Sequence, residues 1–230
     1  MDAQVIDSQA LSYVLVTPDG FDADGTWPLV ILMHGFGANM YDLAGLVSEA
    51  DALGYVYAFP NAPYPMGGGL GGNGYSWMLG RPGVEAPAEP GPSVEQRLEG
   101  FTSEVRAKTG AAAGNIVLGG FSQGGGMTLT HGLLRPDIFK GLVVLSGFFR
   151  SADEVRPKLP DQRTQPVFLA HGRKDGVVSL DLAHETRAFL EAEGYTVDYH
   201  EYDMAHSISG PELTDLVAWL QKILPPKAMA

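Results

Sequence analysis

Three observations predict an α/β protein with a mainly parallel central sheet and helices on both of its faces. Apolar runs at residues 29–33, 115–119, 142–145 and 167–170 are continuous rather than alternating, as in strands buried on both sides. Segments with helical spacing fall between them, so the elements read as successive βα units. The chain has 230 residues, 45% of them hydrophobic, and no internal repeat, which suits one domain over 1–230 with one substantial core.

The elements follow in order. Residues 11–16 form a first strand that ends in the turn Thr17-Pro18-Asp19-Gly20, and 29–33 form a buried strand. Residues 41–53 have helical spacing and lead into a strand at 55–59. A helix over 94–108 starts behind Ser93, whose hydroxyl suits an N-cap. Past the strands at 115–119, 142–145 and 167–170, a helix over 180–193 stops at Gly194. A strand at 196–202 and a closing helix over 211–223, with Pro211 in its first turn, complete the chain.

The stretch 60–92 breaks this rhythm. It is rich in Gly and Pro, with its centre at Gly67–Gly74, and it carries Tyr64, Tyr75 and Trp77. A long irregular loop inside an ordered domain is either functional or a solvated excursion. The aromatic residues favour a mobile wall of a pocket, with Trp77 either facing that pocket or serving as core.

Bulk chemistry narrows the function classes. Asp and Glu number 27 against 15 Lys and Arg, a net charge of −12, which disfavours nucleic acid, anionic membranes and polyanionic substrates. Cysteine is absent, so disulfides, thiolate metal sites and a cysteine nucleophile are excluded. No apolar window reaches the eighteen residues of a membrane span, and the acidic start Met1-Asp2-Ala3-Gln4 lacks a secretory leader's basic region. A cytoplasmic location is expected.

The most informative motif is Gly120-Phe121-Ser122-Gln123-Gly124, which fits G-x-S-x-G. It follows an apolar run and precedes a helix, the setting of a nucleophile elbow, where a strained turn pushes the serine hydroxyl out at the end of a strand. A tight strand-to-helix turn without reactivity would share the pattern. Such a serine attacks a carbonyl only if a base takes its proton and an acid orients that base. Asp175 lies just past the strand at 167–170 and His206 between the last strand and last helix, so the order Ser122, Asp175, His206 places all three on one sheet edge. Asp175 before Gly176 could equally be a turn former, with Asp153 and Asp203 as rival acids. His34 and His171 sit at strand ends and suit backbone bonding; His131 and His184 fall in helical segments and His200 in a strand. His34-Gly35-Phe36-Gly37 follows the strand at 29–33 and suits an oxyanion loop, with the backbone N–H groups of Phe36 and Gln123 as donors. Its glycines serve a plain strand exit equally well.

Together with Pro60-Asn61-Ala62-Pro63, Leu145-Ser146-Gly147, His171-Gly172-Arg173-Lys174-Asp175-Gly176-Val177-Val178 and Trp219-Leu220, these motifs resemble the carboxylesterase/phospholipase-like branch of the α/β-hydrolases over residues 29–220. That branch includes bacterial carboxylesterases and acyl-protein thioesterases. The resemblance implies an α/β-hydrolase fold without a large separate cap domain, Ser122, Asp175 and His206 as the triad, and Phe36 and Gln123 as oxyanion donors. It departs from the pattern in the Pro-rich extension after Tyr75-Ser76-Trp77-Met78, where the substrate is not inherited safely.

The expected function is hydrolysis of small or medium carboxylic esters through an acyl-serine, needing no cofactor or metal. The alternatives are an acyl thioesterase or lysophospholipase and, in a different class, a noncatalytic binding protein on the same fold. Trp77, Phe148, Val177 and Ile208 are candidates for the substrate pocket. The partner is a small-molecule ester; no exposed apolar stripe marks a homo-oligomer interface, common as those are.

Overall fold

In the computed structural model, which describes residues 1–46, 54–67, 74–89 and 91–227, eight strands form one sheet. The strands are β1 (Asp2–Ile6), β2 (Tyr13–Thr17), β3 (Leu29–Met33), β4 (Val56–Pro60), the short pair β5 (Tyr64–Pro65) and β6 (Tyr75–Ser76), then β7 (Ile116–Phe121), β8 (Gly141–Leu145), β9 (Val167–Gly172) and β10 (Val197–Tyr202). The order across the large sheet is β1-β2-β4-β3-β7-β8-β9-β10, with β5 and β6 as a separate hairpin. Neighbours are parallel from β4 through β10, while β2 runs antiparallel to β1 and β4.

Each βα unit buries side chains on alternate faces of the sheet. Leu29, Ile31 and Met33 of β3 join one core with Leu98, Phe101 and Val105 of α1 (Val94–Thr109). Val30 joins the other, with Leu216, Trp219 and Leu220 of α5 (Gly210–Ile223). Between these lie α2 (Gln123–Met127), α3 (Ala152–Val155) and α4 (Leu180–Ala192); α4 adds Phe189 and Leu190 to the first core. Ser93 caps α1 and Ser209 caps α5, each in a reciprocal capping box with the residue three positions on. Gly194 ends α4 in the left-handed region, at φ 88°.

The expected strands and helices stand within two residues of their sequence bounds. The edge strand β1 is an addition: its residues are mostly exposed, so it leaves no apolar run and is held by its backbone ladder to β2. Of the helix expected over 41–53, only a helical turn at 44–46 falls within the described residues; 47–53 lie outside them. Among the described residues no helix is long and apolar enough to cross a membrane.

The strand order reverses between β3 and β7. In open parallel sheets the carboxyl ends of the two strands at such a switch point flank a crevice, because their outgoing chains leave to opposite faces. Here those ends carry His34-Gly35-Phe36-Gly37 and Ser122.

Candidate active site

Ser122 follows directly on β7 and precedes α2, at φ 52° and ψ −112°. A side chain at positive φ is strained, and the surrounding structure must hold it there. The close approach of strand and helix does so. A Cβ on Gly120 would lie 2.4 Å from the Gly124 carbonyl carbon, and one on Gly124 would lie 2.1 Å from the Met33 carbonyl oxygen. Neither obstacle is a flexible side chain, so both positions require glycine. Gly124→Ala is therefore expected to destabilise the fold by at least about 1–3 kcal/mol, the usual cost of overpacking; urea denaturation would measure it. Thr128–Gly132 continues α2 as a wider π-type turn, with Gly132 against Leu142.

The structure brings the three candidate side chains together. His206 Nε2 lies 3.0 Å from Ser122 Oγ, and His206 Nδ1 lies 2.7 Å from Asp175 Oδ2. The other carboxylate oxygen, Oδ1, accepts from the backbone N–H groups of Val177 at 2.8 Å and Val178 at 2.9 Å. Burial alone would raise the Asp175 pKa, but these two amides and the imidazole outweigh it and hold the carboxyl below its ordinary range. The acid is therefore charged near neutrality. A second imidazole supports it: His171 is fully buried, its Nε2 is 3.0 Å from the Val178 carbonyl and 3.4 Å from Asp175 Oδ2. The rival acids are elsewhere. Asp203 pairs with Lys174 at 2.7 Å on the surface, and Asp153 stands exposed in the first turn of α3.

Across the crevice, His34 is buried and locked as one neutral tautomer. Its Nδ1–H donates to the Gly35 carbonyl at 2.7 Å, and its Nε2 accepts from the Ala62 amide at 3.0 Å. Burial lowers its pKa to about 4, opposed only in part by the Gly35 bond. Phe36 is 38% exposed beside the crevice, with the Arg81 guanidinium over its ring. Among the described residues the Phe36 amide has no backbone acceptor, and the Gln123 amide, first in α2, has none within its helix.

Ser122 and His206 open into a cleft of ≈ 880 Å³ that Phe36, Trp77, Phe148 and Val177 also line. Trp77 belongs to the core and the cleft at once: it is 1% exposed, and its indole N–H donates to the His34 carbonyl at 2.9 Å. Val177 stands 74% exposed. Ile208 corrects the expected pocket set. It is absent from this cleft and packs on the opposite face of the sheet, lining a void of ≈ 40 Å³ beneath α5 with Leu145 and Leu216. The loop at 60–92 is tied down on the cleft side through β5, β6 and a bridge from Met66 to Val84; 68–73 and 90 lie outside the described residues.

Two features carried no signal on their own in the sequence. Ser146 also adopts positive φ, 49°, and sets Gly147 where a Cβ would meet the Gly125 Cα at 2.8 Å, so β8 leaves the sheet flush against α2. The Gln123 side chain bonds to residues 76 and 77, 46 to 47 positions away in the chain.

Residues 22–224 match the family described as phospholipase/carboxylesterase. Acyl-protein thioesterase 1 of Yarrowia lipolytica is 33% identical over 207 residues, covering 84% of this chain and 90% of that protein. The Neurospora crassa protein of the same name is 37% identical over 224 residues, covering 86% and 88%. Among solved structures, esterase PE8 superposes with a TM-score of 0.72 at 25% identity, covering 91% of this chain and 99% of that one. A carboxylesterase from Mesorhizobium loti, at 16% identity and a TM-score of 0.71 over 96% and 99%, shares the fold. The fold is that of the α/β-hydrolases.

Proposed function

Since the chain belongs to the phospholipase/carboxylesterase family of hydrolases, we propose that it cleaves carboxylic esters through an acyl-serine formed on Ser122. The observation that carries this reading is the unbroken line of contacts from Ser122 Oγ through the His206 ring to Asp175. As Oγ attacks the carbonyl carbon, His206 Nε2 takes its proton, and Asp175 stabilises the imidazolium that results. The carbonyl oxygen becomes an oxyanion held by the amides of Phe36 and Gln123, where each donor contributes on the order of 2.7–4 kcal/mol to lowering the barrier. The imidazolium then protonates the departing alcohol. Water, its proton taken by the same imidazole, attacks the acyl carbon; the bond to Ser122 Oγ breaks, His206 returns the proton to Oγ, and the carboxylic acid departs.

The acyl arm lies against Trp77 and Phe148, with Val177 at the edge of the cleft, and small or medium acyl groups are the expected substrates. A second reading, an acyl thioesterase, is favoured by the thioesterase names of the fungal relatives. The tetrahedral chemistry is common to both, so the leaving group decides between them. A fluorophosphonate probe should label Ser122, and an unlabelled folded protein would argue for a binding role instead. In a chain-length series of matched oxyesters and thioesters, the highest kcat/KM should fall on oxyesters of short or medium acyl length. A maximum on long-chain thioesters would replace the esterase reading with the second one.

A further inference from the structure

The two amides that receive the oxyanion leave adjacent strands, β3 and β7, whose loops meet where Gly35 faces Phe121 and Ser122. A third segment touches both. Tyr75 exchanges backbone bonds with the β3 loop: its carbonyl accepts from Gly37 N–H at 3.0 Å, and its own N–H donates to the Ala38 carbonyl at 2.8 Å. Gly74 beside it packs so closely that a Cβ there would come within 2.5 Å of the Gly37 carbonyl oxygen. One residue on, the same segment engages the elbow. The Gln123 side-chain oxygen accepts from the Trp77 amide at 2.8 Å, and its Nε2 donates to Ser76 Oγ at 3.2 Å. The Ser76 hydroxyl, fully buried, donates to the Met78 carbonyl at 2.8 Å and accepts from the Met78 amide at 3.1 Å, which leaves one lone pair for Gln123 Nε2. The Trp77 indole closes the circuit on the His34 carbonyl.

We propose that residues 74–78 are a brace that sets the spacing of the Phe36 and Gln123 amides, with the Gln123 side chain as its main positioning residue. This rests on the serine-hydrolase reading above. The Gln123 backbone supplies one oxyanion donor while its side chain reaches the strand that pins the loop of the other. Side-chain anchoring and donor placement are thus coupled within one residue. An oxyanion hole works by being preorganised, so a shift of about 1 Å in one amide costs on the order of 10²-fold in rate while substrate still binds.

The test compares wild type with Gln123→Met, which keeps side-chain length and the backbone amide but loses both anchoring bonds, and with Ser76→Ala. Three quantities are read: kcat and KM on p-nitrophenyl butyrate, inhibition by an alkyl trifluoromethyl ketone, and inhibition by the corresponding trifluoromethyl carbinol. The ketone forms a hemiketal whose oxyanion needs the hole; the carbinol fills the same cleft and forms none. Gln123→Met is expected to lower kcat about 10- to 100-fold with KM within about threefold. Ketone inhibition should weaken in step while carbinol inhibition holds, and Ser76→Ala should show the same pattern at smaller size. A merely structural role would weaken both inhibitors together. If Gln123→Met does not fold, Ser76→Ala carries the test alone. An active wild type whose folded variants keep its ketone-to-carbinol ratio overturns the brace; a wild type that neither hydrolyses the ester nor prefers the ketone overturns the hydrolase reading with it.

Discussion

Replacing Ser122 with alanine is expected to lower kcat on p-nitrophenyl butyrate by roughly 10⁴- to 10⁶-fold, the range seen when a triad nucleophile is removed. No other hydroxyl is found within hydrogen-bonding distance of His206 Nε2 among the described residues, so no neighbour takes over the attack. The substitution removes a single oxygen, leaves the backbone at its positive φ, and leaves Gly120 and Gly124 in contact. Folding should therefore be retained, and the far-UV spectrum and urea midpoint should match wild type. KM should change little, since the apolar lining of the cleft is untouched. What activity remains reflects the oxyanion donors and binding alone. Initial rates at enzyme concentrations high enough to see that residue would check the prediction; turnover within tenfold of wild type would remove Ser122 from the nucleophile's role.

Much of this arrangement is legible in the sequence, for physical reasons particular to each element. The strands β3, β7, β8 and β9 are buried on both faces and so read as unbroken apolar runs. Ser122, Asp175 and His206 all follow strands of one parallel sheet, and parallel strands deliver their outgoing loops to a single edge. The glycines of the elbow announced a close backbone approach that the structure places against Met33 and His34. Ile208 departs from the expected pocket because nearness in sequence to His206 does not fix direction. The chain turns between them, sending the imidazole to the rim and Ile208 under α5 onto Leu145. The Gln123 side chain was illegible for a different reason. Its partners Ser76 and Trp77 are brought to it by the fold, and no local spacing encodes a bond across 46 positions.

Asp175→Asn is the second large effect, and it separates an acid that orients the base from an aspartate that merely shapes a turn. In the native site Oδ1 faces two amide donors, Val177 and Val178 N–H, while Oδ2 faces His206 Nδ1. An asparagine must keep its carbonyl oxygen on the side of the two amides, because its NH₂ there would confront donors with donors. That choice aims the NH₂ at His206 Nδ1; the His171 N–H, 3.4 Å from the original Oδ2, is spent on the Val178 carbonyl at 3.0 Å and opposes this placement less than the two Val177 and Val178 amides would oppose the reverse. The imidazole responds by accepting at Nδ1 and carrying its proton on Nε2, pointed at Ser122 Oγ. A ring in that tautomer cannot take the serine proton, and it has lost the charge that steadies its cationic form. The expected fall in kcat is about 10⁴-fold, the size of the same substitution in a serine-protease triad. Fluorophosphonate labelling should slow in parallel, since phosphonylation needs the same base, while KM holds. The turn itself survives, because the asparagine oxygen still accepts both amides. An Asp175→Asn protein with wild-type rates would therefore mean that the residue only holds the turn, and that His206 is oriented by something else.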